Sequence, residues 1–559
     1  MDSGEALLSQ AVACTSCCGC GGGGTSAGEW ARLLLTLPLE LSAIGAKTEA
    51  HWLQRRNRSS WWRSNRFPKV PGDSLASIEA NLPEPTSVWQ KLVPLAVIFF
   101  CAGFNLTLIQ NASHSLMVTS AGAEVLPFLA SCGVLPASLA FFFFYGRLVE
   151  LLPPAQIFYA AIAPLVAFYV AFAAVLYPAA PVLHPTGLAA ALGPHLPVGF
   201  AGLLKMVEYW TYALFFCVAE LWGPIVISVL FWTLANEVCT VQDARTIYPL
   251  MGIAANIALV VAGIFIKHVT AAVPQAGAAL RVLMGAVLVL TGVMVATKAY
   301  MDRRVAVAAR IAPPKAAPGS KRRGGLAESW ATLRASPMIA SLVMLVVAYS
   351  VSHRLFEFAW KGQLRMLFPS ALAYQSVLAD VSIATGYATI GLMLAGRLVF
   401  QFLGWGVAAA TTPVVMAVTG GAFFAFSLFG SADTATLGVY AGAVTQVFAR
   451  SSKFSLFDPA KEMVYIEMPA EEKRKGKAAV DLVGSQVGKS GASWIAQALL
   501  LALGSIAAAL PIIAAIFGGV IAAWLAAVRH LNAQMEERER LARSSIAQSV
   551  TANGTGEAH

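Results

Sequence analysis

The chain has 559 residues, 57% of them hydrophobic and only 12% charged, with a mean hydropathy of +0.67. That composition supplies many apolar runs of the roughly 20 residues that cross a bilayer, so the chain reads as a polytopic membrane protein. The formal charge of +10 does not point to nucleic acid, because the basic residues fall between apolar runs rather than on one soluble face.

Residues 1–88 contain no span. Tryptophan and arginine recur in HWLQRRNRSSWWRSNRFPK, and Ser, Gly and Ala fill much of the remainder. Such composition suits a transit peptide followed by a linker, although Asp2, Glu5 and Glu29 make it less acid-poor than a good example. The competing reading is a basic tail near the membrane. Eight cysteines divide between Cys14, Cys17, Cys18 and Cys20 at this end and Cys101, Cys132, Cys217 and Cys239 inside apolar runs. That is no disulfide framework, and CTSCCGC lacks the second ligand pair a metal site needs, so no metal and no cofactor are expected.

From Leu92 onward about twelve spans are predicted, centred near Phe100, Ser138, Phe168, Pro224, Val260, Val287, Leu345, Gly391, Thr419, Ala441, Ala496 and Ile516. Basic residues support the count. Lys298, Arg303, Arg304, Arg310, Lys315, Lys321, Arg322, Arg323 and Arg334 fall in the central loop, and Lys473, Arg474, Lys475 and Lys477 in the loop before the eleventh span. Placing both termini and every even-numbered loop on one side satisfies the positive-inside rule. The basic, Pro- and Gly-containing loop 301–336 divides the spans into six-helix halves, 89–300 and 337–531, and a charged tail, 532–559, follows. Two six-helix halves make an all-α, major-facilitator-like architecture, with the substrate between the halves near the midplane.

Few ionisable residues lie inside or at the edges of the spans, and an unpaired one there costs about 2.5 to 3.5 kcal/mol on insertion scales. Glu220, between two apolar runs, is expected to face a cavity; a packing hydrogen bond between helices is the alternative. Glu357 and Lys361 are four apart in RLFEFAWKGQLR, so on a helix they share a face and can pair. Such a pair can open for a polyanion, or it can be a solvated pair at a helix end. The stretch 451–494 is a dense charged insert between spans, and it carries Lys453 and Lys489. Lys489 either meets an anion inside the bundle or snorkels to the headgroups. GSQVGKS is not a phosphate loop, since only Ser485, Gln486 and Val487 separate the glycine from GK and no strand precedes it.

The segments AELWGPIVISVLFWTLANEV, ARTIYPLMGIAANIALV, EFAWKGQLRMLFPS, SSKFSLFDPAKEMVYI and VGKSG resemble the ATP/ADP translocase family of plastids and obligate intracellular bacteria. The likeness runs from Lys91 to about Leu531 and is closest to plastid members, which carry a cleaved N-terminal extension. It implies a roughly twelve-helix antiporter with ATP and ADP as substrates, working in the lipid of the plastid inner envelope without nucleic acid, and no enzyme. It also implies that Glu220, Glu357, Lys361 and Lys489 are the family's charged transport residues, with Lys453 a further phosphate ligand. Trp222, Phe231 or Trp360 are expected to stack the adenine. Two departures point to a diverged nucleotide specificity or exchange mode as the alternative. LIQNASHS places Gln110, Asn111, Ser113 and His114 where the family is charged, and VLPFLA places Ala130 where it usually has lysine. Both remove cations from the first half, and a polyphosphate is held best by charge-assisted bonds.

Overall fold

The structure, a computed structural model, describes residues 88–239, 241–309, 337–466, 480 and 485–554. The expected presequence, most of the central loop and the basic cluster from Lys473 to Lys477 lie outside the described residues. Every regular element within them is helical. Hydrocarbon offers no partner to a backbone N–H or C=O, and a helix satisfies both within one segment.

The first half consists of α1 (Val88–Ala121), α2 (Ala123–Leu151), α3 (Ala155–Leu183), α4 (Trp210–Val238), α5 (Val241–Ala272) and α6 (Ala276–Ala309). The second consists of α7 (Pro337–Leu367), α8 (371–403), α9 (404–429), α10 (432–466), α11 (Ser485–Leu503) and α12 (Ile506–Gly554). Among the described residues, nine helical runs are long and apolar enough to cross a membrane. One of them, Ala371–Phe429, has 59 residues, roughly three crossings' worth of length. It turns at Gly404, whose φ of +79° is the left-handed region that glycine enters without a Cβ penalty, and so forms both α8 and α9.

α10 and α11 complete the twelve but fall below that apolar criterion. α10 contains Arg450, Lys453, Asp458, Lys461 and Glu462, and the apolar part of α11 is only Ser490–Leu503. All twelve expected centres lie inside the observed helices. The charged segment from residue 532 continues α12 without a break as far as Gly554.

Most connections are one to three residues long, Gly122 alone joining α1 to α2, so sequential helices run antiparallel. Each half packs largely around its own core. The first is built on Phe99, Phe172, Phe215, Trp222 and Phe231, with Phe172 and Phe215 stacked 4.2 Å apart. The second is built on Phe356, Trp360, Phe423, Phe457 and Trp524.

The halves meet along α5 and α8, where Gly386 lies so close that a Cβ there would meet the Val260 side chain and the Asn256 carbonyl. Hydrogen bonds joining the halves gather toward the end that carries the α1–α2 and α7–α8 connections. Ser115 donates to the Ala371 carbonyl at 2.6 Å, Arg365 to the Thr119 carbonyl at 3.4 Å, and Ser131 to Gln497 Oε1 at 3.3 Å. Lys267 pairs with Asp380 at 2.6 Å. Toward the opposite end, ion pairs such as Lys91–Asp243 and Lys453–Asp458 each stay within one half. The molecule is clasped at one end and less tied at the other.

Candidate functional site

Between the halves lies a cavity of about 300 Å³ continuous in its lining with two smaller ones of about 190 and 60 Å³, all three sharing His114 and Glu357. The walls of the three come from α1, α2, α4, α7, α8, α10 and α11. α4 widens as it passes: Gly223–Phe231 is π-helical, and its second residue is Pro224, which has no N–H to give an ordinary helical turn.

α7 supplies the centre of charge. Glu357 is 8% exposed and Lys361, one turn later, 4% exposed, and Lys361 Nζ donates to Glu357 Oε1 at 2.8 Å. The pair is therefore buried in the bundle and is not a solvated pair at a helix end. Two further cations converge on the same carboxylate. Arg450 of α10 donates to Glu357 Oε1 at 3.4 Å, and Arg354 lies 3.7 Å from Oε2. Three permanent cations thus surround one carboxylate, an arrangement that leaves net positive charge facing the cavity.

From the first half, Glu220 of α4 reaches the same space. Its Oε1 accepts from Gln110 Nε2 at 3.4 Å and lies 3.2 Å from His114 Nε2, both on α1. Glu220 does face the cavity, and it also hydrogen-bonds between helices, so the two sequence readings are both realised. His114 Nδ1 lies 3.1 Å from Lys361 Nζ. A chain of polar contacts therefore runs from Glu220 through His114 and Lys361 to Glu357 and Arg450, crossing from one half to the other.

Other predicted residues sit elsewhere. Lys453 pairs with Asp458 at 2.6 Å and lies over the rings of Phe454 and Tyr349, so Tyr349, which lines the cavity, stands between it and the space. Lys489 falls one turn into α11, and its side chain lies outside the described residues. Among the departures, Gln110, Asn111, His114 and Ala130 all line the cavities. Ser113 is buried and donates to the Gln110 carbonyl.

The expected adenine-stacking rings are corrected by their burial. Trp222 and Phe231 are fully enclosed in the first core, Trp222 donating to the Ala102 carbonyl and Phe231 stacking on Phe99. Trp360 is 2% exposed and donates to the Val439 carbonyl. The aromatic rings that do line the large cavity are Phe216, Phe358 and Trp494, and Trp494 is 57% exposed. Arg354, Arg450, His114 and Trp494 are thus the site residues that sequence reasoning left out. Arg354 was within reach, three residues before Glu357 on one helical face.

Two more groups bear on what the cavity accepts. Both amide atoms of buried Gln446 and Nε2 of buried His353 have no protein partner among the described residues, and both side chains line the smaller cavities. Buried polar groups of this kind are met by water or a ligand. Among the described residues, no three His, Cys, Asp or Glu side chains are grouped as a metal ion would need.

A protein-family model described as TLC ATP/ADP transporter matches residues 82–535. The chain is 38% identical over 476 residues to ADP,ATP carrier protein 2, chloroplastic, of Arabidopsis thaliana, covering 81% of this chain and 76% of that one. It is 36% identical over 465 residues to ADP,ATP carrier protein 1 of Chlamydia trachomatis, covering 79% and 88%. Among solved structures, a bacterial homologue of the iron transporter ferroportin in an inward-facing state matches with a TM-score of 0.50, at 12% identity, over 80% of this chain and 98% of that one. That likeness concerns the fold alone, which is major-facilitator-like.

Proposed function

The chain belongs to the TLC ATP/ADP transporter family, and on that premise we propose that it exchanges ATP for ADP across a plastid envelope membrane. The names of its relatives supply the substrates and the compartment. The observation that carries the reading is the convergence of Lys361, Arg354 and Arg450 on Glu357 in a cavity between two halves. A polyphosphate satisfies all three cations at once, and charge-assisted bonds to phosphate are strong and directional.

In this reading Lys361, Arg354 and Arg450 hold phosphate oxygens, and Glu357 and Glu220 keep the cations paired when no substrate is bound. A buried cation without a partner is costly, so the carboxylates make the empty state possible. Lys489, whose place in the chain is one turn into α11, is assigned as a further phosphate ligand, and Lys453 acts from behind Tyr349 by its positive charge. Trp494 stacks the base. Alternating access follows from two rigid cores that rock about a central site, and no step cleaves the nucleotide. Uncharged Gln110, Ser113 and Ala130 favour the alternative of other nucleotides only as far as a competition panel supports it.

The test is uptake of labelled ATP into liposomes holding the purified protein and preloaded with ADP, with AMP, or with nothing. Strong stimulation by internal ADP alone supports exchange. Uptake indifferent to the internal nucleotide contradicts it.

A further inference from the structure

His114 touches charged groups of both halves. Its Nδ1 is 3.1 Å from Lys361 Nζ on α7 and its Nε2 is 3.2 Å from Glu220 Oε1 on α4. An ammonium can only donate, so Nδ1 accepts from Lys361; the remaining proton is then on Nε2, donated to Glu220. The geometry assigns a neutral, Nε2-protonated imidazole to the substrate-free site.

The groups facing His114 can be named element by element. Glu220 comes from α4, Lys361, Glu357, Arg354, His353 and Tyr349 from α7, Arg450 from α10, and Gln110 from α1 itself. The Phe216 ring edge packs against the imidazole at 4.8 Å. His114 lines all three cavities, so any anion that reaches Lys361 arrives beside Nδ1.

We propose that His114 takes up a proton when a nucleotide's phosphate binds and then donates to that phosphate, coupling substrate affinity to pH. This rests on the nucleotide-exchange reading above. When a phosphate oxygen draws the Lys361 ammonium away, Nδ1 loses its donor and a buried acceptor is left bare beside a new anion. Binding one solvent proton at Nδ1 repairs both defects: the N–H donates to the phosphate, and Nε2–H keeps its bond to Glu220. The imidazolium then lies between two anions, the phosphate and Glu220, where its charge is stabilised. In the empty site the same charge would face Lys361 and be disfavoured. Binding therefore raises the proton affinity of His114, and linkage requires protons to tighten binding in return. Histidine is the side chain whose ordinary range makes this effective near neutral pH.

The experiment is calorimetric titration of ADP into purified protein in buffers of different ionisation heat, which counts protons bound per nucleotide, with the wild type and His114→Gln compared at several pH values. Glutamine can still donate and accept but cannot take the proton, so the nucleotide's own ionisation cancels between the two. The wild type should take up more protons than His114→Gln near pH 7. On acidification the wild-type affinity should rise more steeply than that of His114→Gln, by up to about tenfold more per pH unit. Equal proton counts and parallel pH profiles would overturn the proposal. Should His114→Gln not fold, a wild-type affinity profile that follows only the titration of free ADP overturns it as well. ADP that binds the wild type at no pH would overturn the exchange reading and this proposal together, whereas binding without proton uptake removes this proposal alone.

Discussion

Glu357 is the shared counter-ion of three cations, and its removal has two separable consequences. In Glu357→Gln the cations Lys361, Arg354 and Arg450 have lost their shared counter-ion and are left to the substrate. The empty protein should lose about 3 to 5 kcal/mol of stability, the usual effect of breaking a buried pair. Nucleotide should bind more tightly and leave more slowly, so KM and the maximal exchange rate both fall. A raised KM in transport assays would show that Glu357 is not the group competing with phosphate. Trp494→Ala should weaken nucleotide binding by about 1 to 3 kcal/mol, the worth of a base stacked on an aromatic ring, while inorganic phosphate competes as before. Equal loss for both ligands would remove the ring from base recognition. Glu220, Glu357 and Lys361 could be read from the sequence because an ionisable residue in an apolar run needs a partner. His114 carries no formal charge and Arg450 sits among polar residues, so neither stands out until the helices are assembled. Of the three expected stacking rings, Trp222 and Phe231 are enclosed in the first core and Trp360 borders only the smallest cavity. Trp222, Trp360 and Trp494 look alike in a sequence, and only packing decides which ring meets the cavity.

At the scale of the element, close approach between helices is set by glycine. Gly386 on α8 lies so near α5 that a Cβ would fall within 2.9 Å of the Asn256 carbonyl and closer still to Val260. Gly386→Val should therefore force these helices apart and lower stability by about 1 to 3 kcal/mol, as overpacking does. Thermal unfolding checks this, and an unchanged Tm would mean that the α5–α8 contact is loose. Twelve helices were legible because apolar length and punctuation by Gly, Pro and charge were enough, even at Gly404 within a 59-residue run. The π-helical widening of α4 at Gly223–Phe231 was not, since nothing in apolar pattern distinguishes a wide turn from an ordinary one. The stretch from residue 451 was read as a charged insert between spans, whereas its residues to Ile466 continue α10, and Lys453 is turned to Asp458 five residues on, a local partner that sequence spacing alone does not rank above a distant one.

For the whole molecule, the halves hold each other at one end through backbone-directed bonds and one exposed pair, Lys267–Asp380. The pair's side chains are 42% and 52% exposed, so it should contribute only about 0.2 to 1 kcal/mol. Lys267→Ala should then change exchange rates less than about fivefold; a complete loss would assign the clasp to this pair. Each half packs largely around its own core, and His114 and Lys361 join the halves in the centre, so the central polar chain is the place where a bound anion can alter the relation between halves. The most direct measurement is equilibrium binding of ATP to the purified wild type and to Lys361→Gln under one set of salt and pH conditions. Hydrogen bonds to a charged group are worth about 1.5 to 3 kcal/mol, so Lys361→Gln should bind roughly ten- to 150-fold more weakly. Equal affinity would contradict the assignment of the nucleotide phosphates to the cavity between the halves.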